Sequence, residues 1–289
     1  MSAPSPLPYL LSGPRGGPIV LASPHSGRDY PATFLAQARL TVAQLRRAED
    51  AFVDELLIQA RDSGAPLLAA RYGRAYLDLN RSGDELDPAM IADPISMRAG
   101  PPSERVAAGL GILPRIAAHG LDIYAARLRL AEAEARIAAL HAPWHNELGA
   151  LLNEAAVAHG FAILLDCHSM PTPPPSGGPP PQFVIGDLHG CAAAPSLVAA
   201  IERSLTLDGW RVARNIPYAG GYTTAWHGRP AQGVHAVQIE IDRALYMDPA
   251  RLQPHGGFAR VAASLRRIVE VLLRDAGALG LHRYAEAAE

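Results

Sequence analysis

Residues 161–170 read Phe161-Ala162-Ile163-Leu164-Leu165-Asp166-Cys167-His168-Ser169-Met170. Five apolar residues run straight into a polar end, the pattern of a buried strand whose C-terminal end opens onto a site. Side chains alternate faces along a strand, so Asp166 and His168 point one way and Cys167 the other. Ligands of open α/β sheets sit outside the carboxyl ends of the strands, where this pair falls. Two readings fit the pair. His168 binds a metal with Asp166 supporting it, or the two form a hydrogen-bonded structural pair at a strand end.

The frame around this strand is α/β. A chain of 289 residues suits one large domain or at most two. With 49% hydrophobic residues it builds a full core without disulfides, and its 2 cysteines, Cys167 and Cys191, offer no framework. A net charge of −2 leaves no nucleic-acid footprint. The first residues lack a basic start followed by an apolar run, and no uncharged apolar run reaches membrane-spanning length. These features point to a cytoplasmic protein with a small-molecule partner, no nucleic acid and no membrane.

In chain order, residues 1–17 read as a flexible N-terminal arm and 18–289 as a single catalytic domain. Pro18–Ala22 reads as a strand that stops at Ser23-Pro24-His25-Ser26-Gly27, where proline and glycine turn the chain. His25 alone is a loop histidine. Thr41–Ser63 reads as one helix, with Thr41 as N-cap, an apolar stripe through Leu45, Phe52 and Leu56, and Gly64 as its stop. Its acids, Asp50 and Asp54, then lie on a solvated face near Arg47. Ala65–Ala70 and Ala75–Arg81 read as strands, the second placing Tyr76, Asp78 and Asn80 on one face. Arg81 either grips a ligand carboxylate or pairs with the acids just downstream.

Residues 82–103 form a polar loop, and helices are expected over 104–118, 121–142 and 144–159, with Pro143 breaking the run. The proline-rich stretch 171–182 cannot build a core and is a candidate rim of the site. Strands at 183–185, 210–215 and 233–242 and a helix at 193–205 follow, with a long amphipathic helical region at the C-terminus. The Gly-rich stretch 218–230 suits substrate contacts. In the last strand Gln238, Glu240 and Asp242 share a face. A carboxylate there is costly unless paired or beside a metal, so Glu240 is either a general base or half of a salt bridge. Asp166-Cys167-His168 with Gly186-Asp187-Leu188-His189-Gly190 also suggests a dinuclear metallophosphoesterase. The short spacing between the two motifs and the missing later motif speak against it.

The set Pro24-His25-Ser26-Gly27, Tyr76-Leu77-Asp78-Leu79-Asn80-Arg81, Leu164-Leu165-Asp166-Cys167-His168-Ser169, Gly220-Gly221-Tyr222-Thr223-Thr224 and 232–242 resembles the N-formylglutamate amidohydrolase family from about Pro18 to Asp248. The resemblance implies a mixed, mostly parallel sheet flanked by helices, similar to zinc carboxypeptidases and aspartoacylase, with one Zn2+ per chain (Mn, Fe or Co suit the same ligands). It implies His25 and His168 as metal ligands, Asn80 and Arg81 as a carboxylate clamp, Tyr222 and Thr223 as substrate contacts, and Glu240 as the base. The carboxypeptidase-like acidic ligand three residues after the first histidine is absent, because that position is Arg28. The family's acidic segment points instead to Asp50, with Glu49 and Asp54 as neighbours. The implied reaction is hydrolysis of N-formyl-L-glutamate or a similar N-acyl amino acid. A non-catalytic metal- or ligand-binding protein is the competing class.

Overall fold

A computed structural model describes residues 6–94, 103–175 and 177–282. Residues 1–5 of the expected arm, 95–102 of the expected polar loop, Ser176 of the proline-rich stretch and 283–289 lie outside the described residues. The chain divides into two compact units built from interleaved segments. One takes the residues up to Leu10, Pro24–Ala51 and Ala69–Glu147; the other takes Leu11–Ser23, Phe52–Leu68 and the chain from Leu148 on.

The strands are β1 (Tyr9–Ser12), β2 (Ile19–Ser23), β3 (Leu67–Ala70), β4 (Ala162–Met170), β5 (Phe183–Gly186), β6 (Val212–Arg214) and β7 (Val234–Asp242). They form one sheet in the order β1-β3-β2-β4-β7-β5-β6, of which β2, β4, β7, β5 and β6 lie wholly in the second unit. β2 and β7 run parallel to β4, β5 parallel to β6, and β5 antiparallel to β7, so the sheet is mixed and mostly parallel. Every residue of β4 is buried, as expected of a central strand covered on both faces. The Phe258–Asp275 helix packs on the Ile58–Asp62 and Pro195–Leu207 helices and buries Val261, Leu265, Ile268 and Leu272, spaced for one face. Each such side chain stabilises the fold by about 2 kcal/mol relative to exposure. Among the described residues no helix is long and apolar enough to cross a membrane.

Four expectations need correction. Tyr9–Ser12, inside the expected loose arm, is an edge strand, because its apolar Tyr-Leu-Leu pairs its backbone in the sheet. The expected strand over 75–81 is irregular backbone with turns. There the Asp78 carboxylate accepts a hydrogen bond from the Asn80 N–H at 2.9 Å, the local competition that Asp offers against a ladder. Pro143 breaks nothing, since one helix runs Leu130–His159 through it, and the helices expected over 104–118 and from 121 shrink to Glu104–Ala107 and to this one starting at Leu130. The cost of an internal proline, about 3 kcal/mol, is offset by full burial of Trp144 and Leu148 just beyond it. Within this helix His141 and His145 contact the backbone carbonyls of Arg81 and Leu79, so both are structural.

The fourth correction concerns Thr41–Ser63. The helix starts as expected, with Thr41 and Gln44 forming a capping box, but it continues only as Val42–Leu45 and a 3-10 turn over Arg46–Ala48. The backbone is extended at Glu49 and left-handed at Phe52, with φ 67, before helix resumes over Val53–Leu56 and Ile58–Asp62. Tertiary hydrogen bonds outweigh helical propensity at the break. The Asp50 N–H donates to the His25 carbonyl at 2.9 Å, and the Glu49 carboxylate accepts from Tyr30 Oη at 2.9 Å and Arg46 Nε at 3.2 Å.

Candidate active site

The polar ends of β4 and β7 lie side by side. Asp166 stands opposite Gln238 and His168 opposite Glu240 in the parallel register, so alternation puts all four on one face of the sheet. All four are buried. Gln238 Nε2 donates to Glu240 Oε1 at 2.9 Å, which fixes the carboxylate through one oxygen. Cys167 faces the other way, buried, with its thiol directed to the Leu165 carbonyl at 3.7 Å. Burial pushes that thiol up, and the charges of Asp166 and Glu240 push it further, so it is no nucleophile.

Asp166 is the most demanding group of the four. His168 Nε2 approaches its Oδ2 to 3.1 Å, yet neither carboxylate oxygen has a well-angled hydrogen bond among the described residues. A fully buried carboxylate so placed is expensive unless a cation is close. A second imidazole, His227, on the short Tyr222–His227 helix, is buried within reach of its charge. Burial drives the His227 pKa down to about 4 against the pull of Asp166, and Arg229 lowers it further. His227 is therefore neutral near pH 7, a role its sequence position did not suggest.

This has a consequence in acid. Above the ordinary value of 6.5, His227 is neutral in both folded and unfolded chains and contributes nothing to pH dependence. Between 6.5 and about 4 the unfolded chain takes up a proton that the folded chain refuses, so stability falls as pH falls. The loss amounts to about 3 kcal/mol by the lower limit, and burial shifts His141 and His235 the same way. The melting temperature should drop between pH 6.5 and 4.5, and His227→Gln should flatten that slope. A slope equal to the parent's in the His227→Gln protein would contradict the burial argument.

In the first unit the break at Glu49 turns Asp50 onto His25. His25 Nδ1 lies 3.3 Å from Asp50 Oδ2, and His25 Nε2 lies 2.7 Å from Asp78 Oδ1. Both ring nitrogens of His25 thus face a buried carboxylate oxygen, and with the Nε2 proton on the shorter bond to Asp78, Nδ1 and Asp50 Oδ2 would together offer two donor atoms to a cation. Asp78 was seen in the sequence only as one residue on a strand face. Burial alone would raise its carboxyl, but Arg74, His25 and Arg81 outweigh burial and hold it well below the usual carboxylate range. It is thus an anion that orients His25.

Among the described residues one His/Asp group can hold a metal ion. His25, Asp50 and His168 each offer one ligand atom, and these atoms lie within 4.8 Å of one another. All three are buried. Glu49, the neighbouring acid, is committed to Tyr30 and Arg46, and burial raises it to about 6. Asp54 is outside the group. Two imidazoles and one carboxylate match the donor set of a catalytic rather than a structural site, and the underbonded Asp166 beside His168 adds the second-sphere carboxylate such sites use.

The other expected residues are placed as follows. Arg81 is buried, with Nε donating to the Leu110 carbonyl and Nη1 to the Asn80 carbonyl, which leaves Nη2 outside both bonds. Asn80 is buried beside it. The stretch 218–230, read as a loop, contains the Tyr222–His227 helix. Tyr222 stacks on Trp226 with ring centroids 5.6 Å apart, while Thr223 is fully buried. Asp187 and His189 form a turn around Asn215, which donates to Asp187 Oδ1 at 2.8 Å and accepts from both backbone N–H groups. Neither belongs to the metal-capable group.

The family model for N-formylglutamate amidohydrolase matches residues 17–247. The chain belongs to the N-formylglutamate amidohydrolase family. It is 30% identical over 283 residues to an N-formylglutamate deformylase from Pseudomonas aeruginosa, covering 96% of this chain and 99% of that one. It is 26% identical to an N-formylglutamate deformylase from Pseudomonas putida, covering 92% of this chain and 95% of that one. The crystal structure of N-formylglutamate amidohydrolase from Ralstonia eutropha JMP134 superposes with a TM-score of 0.85 at 35% identity, covering 94% of this chain and 98% of that one. As a member of the N-formylglutamate amidohydrolase family, the chain is an amidohydrolase, a hydrolase acting on an amide bond. That class agrees with a site built on buried carboxylates and imidazoles and with a thiol kept out of it.

Proposed function

We propose that this member of the N-formylglutamate amidohydrolase family hydrolyses N-formyl-L-glutamate to formate and glutamate at a metal centre held by His25, Asp50 and His168. The observation that carries this reading is the buried meeting of those three ligand atoms within 4.8 Å. A divalent cation there, zinc first, supplies Lewis acidity to the amide carbonyl and lowers the pKa of water. Manganese, iron or cobalt suit the same donors.

The chain's own residues do the rest. Glu240, held by Gln238 through Oε1, takes the proton of the attacking water and passes it to the departing amine nitrogen. Arg81, through Nη2, and Asn80 hold a carboxylate of the glutamyl part, so that the scissile amide is oriented rather than merely bound. Tyr222, stacked on Trp226, and buried Thr223 contact the substrate. Asp166 and Asp78 orient His168 and His25 and raise their basicity as ligands.

The test of the reaction is release of formate from N-formyl-L-glutamate by the purified protein, with and without a chelator. Activity that a chelator removes and zinc restores supports both substrate and metal. Bound metal with hydrolysis only of other N-acyl amino acids would replace the substrate and keep the centre. The second sphere has its own test. Asp78→Asn keeps the shape but weakens the acceptor for His25 Nε2, so zinc affinity should fall about 10–100-fold. Titration against a competing chelator reads this directly, and an unchanged affinity would remove Asp78 from the role.

A further inference from the structure

One cavity uses none of these residues. It lies within the first unit, has a volume of 240 Å³, and its lining includes Arg39, Arg115, Asp122 and Arg127 around Met90 and Tyr124. Its walls are laced together by backbone hydrogen bonds. The Arg39 N–H donates to the Ile123 carbonyl at 2.7 Å, Ala125 to Gln37 at 2.9 Å, and Leu128 to Met90 at 2.8 Å. Met90 and Tyr124 are buried, and the Tyr124 hydroxyl is held by Arg136 Nη1 at 2.8 Å. The pocket is therefore preformed, with an apolar floor.

Its rim is cationic. Arg115 is balanced by Asp87 at 3.1 Å and Asp122 at 3.9 Å. Arg39 and Arg127 are exposed and enter no ion pair among the described residues. Two arginines without an ion pair among the described residues thus line one small concave space that also holds Asp122, on a chain whose net charge is −2. Concave walls of low dielectric strengthen such a field. Guanidinium groups favour planar, bidentate partners such as carboxylates. The volume is below that of pockets for drug-sized ligands, about 300–1,000 Å³.

We propose that this pocket is a binding site for a short aliphatic dicarboxylate, with one carboxylate on Arg39, the other on Arg127, and the methylene chain over Met90 and Tyr124. The source of such a ligand is either a free dicarboxylate or the glutamate of the enzyme's own reaction, and both share this chemistry.

Calorimetric titration of the full-length protein with glutarate, L-glutamate and butyrate tests the site by binding rather than turnover, and the difference between the parent and the Arg39→Gln, Arg127→Gln variant separates it from any binding at Arg81. Glutarate should bind about tenfold or more tightly than butyrate, since butyrate engages one guanidinium only. Arg39→Gln with Arg127→Gln should weaken glutarate by about tenfold or more. L-Glutamate binding as tightly as glutarate identifies the reaction's product as the source; markedly weaker binding identifies a free dicarboxylate. In the unaltered protein, glutarate should also shield Arg39 and Arg127 from phenylglyoxal, read by mass spectrometry of their peptides, which decides the matter should the double variant misfold. Glutarate that does not bind, binds the double variant equally well, or leaves both arginines unshielded overturns the proposal.

Discussion

Glu240→Gln should yield a folded, metal-loaded protein that hydrolyses N-formyl-L-glutamate about 10³-fold more slowly than the parent. A positioned general base contributes about 10²–10⁴ in rate, so 10³ corresponds to about 4 kcal/mol of barrier. The geometry makes this the cleanest single change. Glutamine keeps the volume at a buried position between His168 and the strand face, and its carbonyl can still accept the Gln238 amide at Oε1. The capacity of the carboxylate to accept a proton is lost. Because Glu240 is outside the ligand group, metal content should stay at the parent's level. The loss should fall on kcat, with KM little changed, since the interaction is made with the proton in flight rather than with bound substrate. A variant that keeps its metal and stays within tenfold of the parent would sink the assignment of the base.

His168→Ala should empty the centre. Three donors are the minimum set here, and His25 with Asp50 is an incomplete cage. Lewis acidity is worth several kcal/mol, so activity should fall on the order of 10³-fold or more, towards the uncatalysed background. The same change has a readout that does not involve turnover. A ligand that binds only the folded state stabilises it by about 2.7 kcal/mol at a free concentration of 100 times its dissociation constant. Zinc should therefore raise the melting temperature of the parent and leave that of His168→Ala where it was. If zinc stabilises both equally, the metal is bound elsewhere, and His25, Asp50 and His168 return to being a buried polar cluster.

The half of the site on the sheet was legible in the sequence because a strand has only one side-chain period. Asp166 and His168 on one face, Cys167 on the other, and Glu240 in line with Gln238 all follow from alternation, and the register of β4 against β7 agrees residue by residue. The apolar character of both strands likewise required burial on both faces, hence helices on a mostly parallel sheet. Alternation cannot say which strands are neighbours. That Asp166 meets Gln238 and His168 meets Glu240 came with the pairing.

The other half was decided by tertiary structure. Thr41–Ser63 carries a helical apolar stripe, a capping box and a glycine stop, and local rules make it one helix. In the folded chain the Asp50 N–H is worth more on the His25 carbonyl than in a helical turn, and Glu49 is worth more on Tyr30 and Arg46. The resulting break turns the Asp50 carboxylate onto His25 instead of a solvated face. Asp78 shows the same logic, since leaving the expected strand lets one carboxylate oxygen serve both Asn80 and His25. Sequence alone determined the central buried strands and the residue types that carry the chemistry, because periodicity and polarity are local properties. Tertiary structure decided which acid joins the histidines and which acid orients them, because long-range hydrogen bonds to buried partners outweigh helix and strand propensities worth about 1 kcal/mol or less per residue.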